Sequence, residues 1–380
     1  MKKLLFATCC IAFLSGSLGA AAQKKSAAKN VLTQTLKGKS WSADNGNGTF
    51  TNPLFYDEFS DPDIIRVGED YYLAGTTMHS VPGLVVLHSK DLVNWEFSSY
   101  CFDRFDDSDD FNLRNGKEAY GQGIWAPAIR YHNGKFYIFS NINGHGLQVY
   151  ISDSAKGPWT HHKVNGDIYD LSVLFDEDGK IYAVHKYGNV TVTELKPDLS
   201  GPVEGSSKVV IPEGNAMGEG HHVYKINGMY YILSADYSPM GRMQCARSKS
   251  IWGPYETCVI SERESYGYAA GWSVGNMGIG RPLPEDGFSF QNNKPNGLNL
   301  GCATIHQGGI VQAPDGKWWG VSMQDFNAVG RTVCLSPITW VDGWPYFGLE
   351  KNLGRSPRTW FKPNDMVKTP QAPYDRCDDF

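Results

Sequence analysis

The sequence predicts an all-β protein, a five-bladed β-propeller. Three observations carry that expectation: a short hairpin motif occurs five times, each copy is followed by a further pair of strand-like pieces, and no long helical periodicity competes. The motif is a β-rich run, a polar turn and an aromatic residue opening a second strand. Residues 64–72 form the first copy, turning at Gly68-Glu69, and residues 128–137 the second, turning at Asn133-Gly134. The third, 171–182, turns at Asp178-Gly179, the fourth, 222–231, at Asn227-Gly228, and the fifth, 309–319, at Asp315-Gly316. Asn-Gly and Asp-Gly between strand-like runs favour a hairpin because the tight turn needs positive φ at its centre. The pieces that follow begin at residues 84, 147, 190, 243 and 332, and most run on to a Pro-Trp, Trp-Gly-Pro or lone Trp turn.

Bulk properties fit one large all-β unit with short tails. Of 380 residues, 41% are hydrophobic and 20% charged, which supports a sizeable core and excludes global disorder. The aromatic share of 13%, with 11 Trp and 20 Tyr, suits sugar-stacking surfaces as well as blade cores. A formal charge of −5 lacks the basic face that nucleic acid requires. Met1-Lys2-Lys3, an apolar run over 4–18 and Ala20-Ala21-Ala22 read as a signal peptide, 1–22, too short to span a bilayer. The expectation is an exported protein, periplasmic or secreted, with no membrane insertion after signal removal. A linker over 23–45, a propeller over 46–362 and a tail over 363–380 complete the division. Six cysteines remain after the signal (Cys101, Cys245, Cys258, Cys302, Cys334 and Cys377), with no metal-knuckle or redox spacing.

The last aromatic of each copy serves as a ruler. Tyr72, Tyr137, Tyr182, Tyr231 and Trp319 are separated by 65, 45, 49 and 88 residues, so long loops fill the first and fourth gaps, at 102–123 and 265–299. About a dozen residues before each ruler stand Asp61, Trp125, Asp170, Glu219 and His306. All five precede the strand that lines the central axis, so they should converge at one opening. Packing requires none of them, and gathering three carboxylates costs free energy unless they are paired or one keeps its proton. Crowding separates their pKa values and yields an acid and a base at one pH, as glycosidic cleavage requires. A lone Asp there would more simply cap a turn. Three acids at matching offsets favour a site, with Trp125 as an apolar platform for a sugar ring.

Asp61-Pro62-Asp63-Ile64 with Arg66-Val67-Gly68, Gly123-Ile124-Trp125-Ala126-Pro127, Asp170-Leu171-Ser172 and Glu219-Gly220-His221-His222 resemble the family 43 glycoside hydrolases. The likeness covers about residues 50–360. It departs at Leu171 and His221, where the family's motifs usually carry Pro. The resemblance implies an inverting enzyme that acts on oligosaccharide or polysaccharide ends and requires no cofactor. It implies Asp61 as general base and Glu219 as general acid. Asp170 is then the third acid, which orients Glu219 and raises its pKa. The motif, not the residue chemistry, chooses Asp61 over Asp63. Trp125 and Tyr169 resemble walls of the sugar pocket, and Arg331 resembles an arginine that binds substrate or supports Asp170. His306 resembles a central histidine beside a calcium ion, held mostly through water because calcium prefers oxygen ligands. The tail resembles the lead-in to a β-sandwich domain.

Other features read as ordinary surface. His161-His162 is solvated, the acidic run 103–110 lacks calcium-loop spacing, and Asn47-Gly48-Thr49 is a formal glycosylation sequon. The functions left open are release of terminal α-L-arabinofuranosyl or β-D-xylosyl residues, non-catalytic carbohydrate binding, and retaining hydrolysis of fructosyl bonds. Ser60-Asp61-Pro62-Asp63 departs from the Asn-Asp-Pro-Asn of that last class.

Overall fold

The structure, a computed structural model, describes residues 42–105, 108–215, 217–236, 242–261, 305–325, 330–354 and 359–363. Every strand lies in a compact unit, Ala43–Gln371. After β1 (Thr49–Thr51), the first blade is the antiparallel meander β2 (Asp63–Val67), β3 (Asp70–Gly75), β4 (Gly83–Ser89) and β5 (Glu96–Phe102). The second blade is β6 (Ala128–His132), β7 (Lys135–Ile142), β8 (Gly146–Ser152) and β9 (Thr160–Val164). The third is β10 (Ser172–Phe175), β11 (Ile181–His185), β12 (Val190–Leu195) and β13 (Lys208–Ile211). The fourth is β14 (Glu219–Ile226), β15 (Met229–Asp236), β16 (Arg242–Ser248) and β17 (Glu256–Val259). In the fifth blade the innermost strand is split, because β18 (Ile305–His306) and β19 (Ile310–Gln312) both pair with β20 (Trp318–Asp325). β21 (Arg331–Val341), β22 (Trp344–Leu349) and β23 (Asn352–Leu353) follow. The five expected hairpins are all present, and the protein is a five-bladed propeller.

Alternation along the strands builds the core. In β3, Tyr71 and Leu73 face the fifth blade while Ala74 faces the second. Five apolar clusters result, one at each blade-to-blade interface. Fully buried Leu73, Ile138 and Leu233 each contribute about 2 kcal/mol by leaving water. The interfaces between blades therefore hold the ring together.

Closure uses a pair that the repeat pattern did not show. β1 lies antiparallel to β24 (Thr359–Phe361), with Phe50 opposite Trp360. Asn52 donates to the Leu335 carbonyl and accepts from its N–H, both at 2.8 Å, which sews the first segment onto the fifth blade. Lys362 Nζ meets Asp44 at 2.6 Å and Asp91 at 3.0 Å. Ala43 is already buried in the core, so packing begins three residues ahead of the boundary expected at residue 46. The segments 1–22 and 265–299 and most of the tail lie outside the described residues.

The axis itself is polar and saturated. Asp63, 1% exposed, accepts from Arg130, from the Ile129 N–H at 2.9 Å and from His222 Nδ1 at 3.0 Å. Arg130 reaches on to Ser172 and the Val173 carbonyl, and Ser172 Oγ accepts from the Val223 N–H at 3.0 Å. Tyr224 Oη accepts from the Ile310 N–H at 2.9 Å, which carries the ring into the fifth blade. Cys101, Cys245 and Cys258 are free thiols, and Cys334 Sγ donates to Gln324 Oε1 at 3.6 Å. Cys302 and Cys377 lie outside the described residues.

Candidate active site

Strand pairing fixes the register of the residues at the mouth of the axis. The ruler aromatics pair with Ile65, Arg130, Leu174, Tyr224 and Val311. Four residues before these partners stand Asp61, Ala126, Asp170, Gly220 and Gln307. Asp61 (φ 54°), Asp170 (φ 52°), Gly220 (φ 66°) and Gln307 (φ 46°) all adopt left-handed backbone there. Asp and Asn tolerate that region better than most residues, which suits the turn to the two aspartates. Trp125, Glu219 and His306 stand one residue earlier, at offsets that a count over hairpins of unequal length cannot resolve. A bulge between Glu219 and His222 locally breaks the ladder with β15 and gives Glu219 a different aim from its neighbours. Gly220 is needed there, because a Cβ would come within 2.4 Å of the Gln307 side chain.

Asp61, Trp125, Tyr169, Asp170, Glu219 and Arg331 line one cavity of about 510 Å³. Six of the seven expected residues meet there, His306 being the exception. Ala126, Asn141 and Gln307 also line it and escaped sequence reasoning. Asn141 closes β7, the second strand of its blade, and it links both sides of the wall. Its side chain accepts from the Asp170 N–H at 3.1 Å and donates to the Ile168 carbonyl at 2.8 Å. A polar residue where the second strand returns to the mouth is the signal that would have found it. Gln307 replaces His306 at the cavity. His306 is 3% exposed and is not among the residues that line the cavity.

The calcium expectation also finds no cage of protein ligands. Among the described residues no group of three His, Cys, Asp or Glu could hold a metal. The channel carboxylate, Asp63, is already neutralised by a guanidinium. One imidazole is a poor partner for calcium, so a calcium beside His306 would be held mostly through water.

The carboxyls differ in enclosure and neutralisation. Burial raises the pKa of Asp61, the Arg331 guanidinium 3.5 Å away opposes that rise, and the Glu219 charge adds to it. Burial, then the charges of Glu219 and Asp61, push Asp170 up to about 8, against one opposing bond from the Gly220 N–H at 2.8 Å. Glu219 is the least enclosed of the three, and its Oε2 accepts from the Tyr169 hydroxyl at 2.9 Å. Arg331 is fixed by its backbone, which donates to Glu58 at 2.6 Å and accepts from the Phe59 N–H at 2.8 Å. Its guanidinium lies 3.5 Å from Asp61, whose charged form it favours.

A propeller that gathers three carboxyls, one arginine and an indole around a sugar-sized hollow has the equipment of the glycoside hydrolases. A sequence profile of glycosyl hydrolases family 43 matches residues 50–267. A putative β-xylosidase of Xylanibacter ruminicola is 32% identical over 90% of this chain and 58% of its own length. A non-reducing end α-L-arabinofuranosidase of Bacteroides ovatus is 33% identical over 83% of this chain and 56% of its own length. Among solved structures, a bifunctional GH43-CE protein of Bacteroides eggerthii superposes with a TM-score of 0.68 and 32% identity, over 84% of this chain and 38% of its own. The chain belongs to glycosyl hydrolases family 43. It spans little more than half the length of those two curated relatives.

Proposed function

We propose that the chain is an exported, inverting exo-glycosidase that releases terminal α-L-arabinofuranosyl residues from the side chains of plant cell-wall polysaccharides. The observation that carries this reading is the convergence of Asp61, Asp170 and Glu219, from three different blades, on one cavity. A volume of about 510 Å³ sits low in the range of small-molecule sites, which suits one terminal sugar better than an open chain.

In this reading Asp61 takes a proton from water as that water attacks the anomeric carbon. Arg331 supports the ionised form of Asp61 despite its burial. Glu219 gives a proton to the departing glycosidic oxygen, and Tyr169 holds the carboxyl in place. Inversion by single displacement needs the two working carboxyls about 6.5–9.5 Å apart, with the water between. Asp170 stands beside Glu219 with its carboxyl held by the Gly220 N–H at 2.8 Å. Trp125 offers its face to the sugar. The basic-then-apolar start at residues 1–22 supports export.

A second reading, β-D-xylosidase on xylo-oligosaccharides, is favoured by the name of the Xylanibacter ruminicola relative. Nitrophenyl α-L-arabinofuranoside and nitrophenyl β-D-xyloside, assayed side by side with the product anomer followed by NMR, separate the two. The expected result is arabinose release with inversion, lost in Glu219→Gln. A higher kcat/KM on the xyloside would install the second reading. Sugar binding without release, or cleavage of sucrose or inulin alone, would overturn both.

A further inference from the structure

His221 lies two residues beyond Glu219, is 3% exposed, and is not among the residues that line the cavity. Its Nε2 lies 2.7 Å from the Lys186 carbonyl, so that nitrogen carries the proton and donates. The tautomer leaves Nδ1 as a buried acceptor with no hydrogen-bond partner among the described residues. Leaving such a group unmet costs about 1–3 kcal/mol, so the bond to Lys186 is kept at the expense of stability.

Lys186, just after β11, is itself held in an unusual conformation. Its φ is 79°, in the left-handed region that a lysine enters only when its surroundings over-determine it. Three partners do so. His221 takes its carbonyl, the Tyr169 carbonyl takes its N–H at 2.9 Å, and Asp167 takes its ammonium at 2.9 Å. Tyr169 in turn donates its hydroxyl to Glu219. The circuit is closed: His221 to Lys186, Lys186 to Tyr169, Tyr169 to Glu219, and Glu219 through Gly220 back to His221. It joins the third blade to the fourth at the point where the acid must be aimed. The Tyr169 ring is 45% exposed, so its walls alone do not fix it, and its backbone is what the circuit holds.

We infer that His221 is a positioning residue for the proton donor, clamping the Lys186 turn so that the Tyr169 hydroxyl holds the Glu219 carboxyl at the angle the leaving oxygen requires. The inference rests on the reading of Glu219 as general acid. It adds that the acid's aim is set from a neighbouring blade, by a side chain that never touches substrate.

A double-mutant cycle tests it. His221→Phe, His221→Gln, Tyr169→Phe and the pair His221→Phe/Tyr169→Phe are assayed on whichever nitrophenyl pentoside the unaltered protein hydrolyses, with thermal unfolding in parallel. His221→Phe is expected to lower kcat about tenfold with KM within about twofold, as a misaimed group does. His221→Gln, which places an amide N–H where Nε2 stood, is expected to recover kcat to within about threefold. The pair should be no slower than Tyr169→Phe alone, because both changes break one circuit. His221→Asn, whose amide is too short to span the gap, gives the same reading should His221→Phe not fold. Unchanged kcat in a folded His221 variant, no recovery in His221→Gln, or multiplied losses in the pair would overturn the inference. An unaltered protein that releases no sugar from either pentoside would instead overturn the reading beneath it.

Discussion

Two aspartates two residues apart, Asp61 and Asp63, occupy opposite electrostatic worlds. Both are buried. At the mouth, Asp61 shares a cavity with Asp170 and Glu219 and has Arg331 at 3.5 Å, and its pKa is raised. Deeper in the channel, burial would raise Asp63 too, but the charges of Arg130 and His222 and their hydrogen bonds bring it below the usual carboxylate range. Burial alone therefore does not make a carboxyl reactive. What separates a working acid from a structural one here is how completely its neighbours neutralise it. Sequence chemistry left the pair unresolved; the donors around Asp63 favour the proposed role of Asp61.

The sharpest way to break this contrast is at the mouth. Glu219→Gln should lower kcat by about 10²–10⁴-fold, the usual worth of a positioned proton donor, with no loss in the unfolding midpoint. Steady-state rates and thermal unfolding on one preparation check both halves. Asp63→Asn should do the reverse, costing about 3–5 kcal/mol in denaturant unfolding because Arg130 loses its buried partner. A stable Asp63→Asn protein with no activity would move Asp63 into the catalytic set and end the contrast.

Asp170→Asn sharpens it through pH. The folded-state pKa near 8 stands above the ordinary aspartate value of 3.8, so the folded chain holds a proton that the unfolded chain releases between those limits. The native protein thus loses stability as pH rises through that window, and the variant does not. The midpoint of Asp170→Asn, measured against that of the unaltered protein, should climb from about pH 5 to about pH 8 and level off above. A flat difference would place the proton elsewhere in the cluster. The smallest effect is expected outside the axis. Lys362→Met removes a cation from two partly exposed carboxylates and should cost at most about 1 kcal/mol in denaturant unfolding.

Local chemistry made the blades readable. Turns such as Asn133-Gly134 and Asn227-Gly228 declare a hairpin within a few residues, and one aromatic beside each gives the repeat its ruler. The three carboxyls followed because their offsets survive from blade to blade. What escaped depends on pairing between distant segments or on a single-residue shift. The bulge at Gly220 moves Glu219 out of line with Asp61 and Asp170, and only the ladder with β15 reveals it. Gln307, not His306, reaches the cavity for the same one-residue reason. The β1–β24 closure uses two three-residue strands from opposite ends of the described chain, too short to show any period. Arg331 could be named from its motif, but its partner depends on how the fifth blade meets the first, which no local pattern encodes.

The left-handed turn beneath Asp61 and Asp170 narrows the routes by which the proposed activity could decay. Only Asn and Gly sit there about as comfortably as Asp, so a lineage drifting away from hydrolysis would be expected to carry one of those two at 61 or 170. Lengthening either side chain to Glu would keep the charge but move the carboxyl relative to the cavity. A dead descendant should thus be recognisable by its substitutions while its shape stays whole.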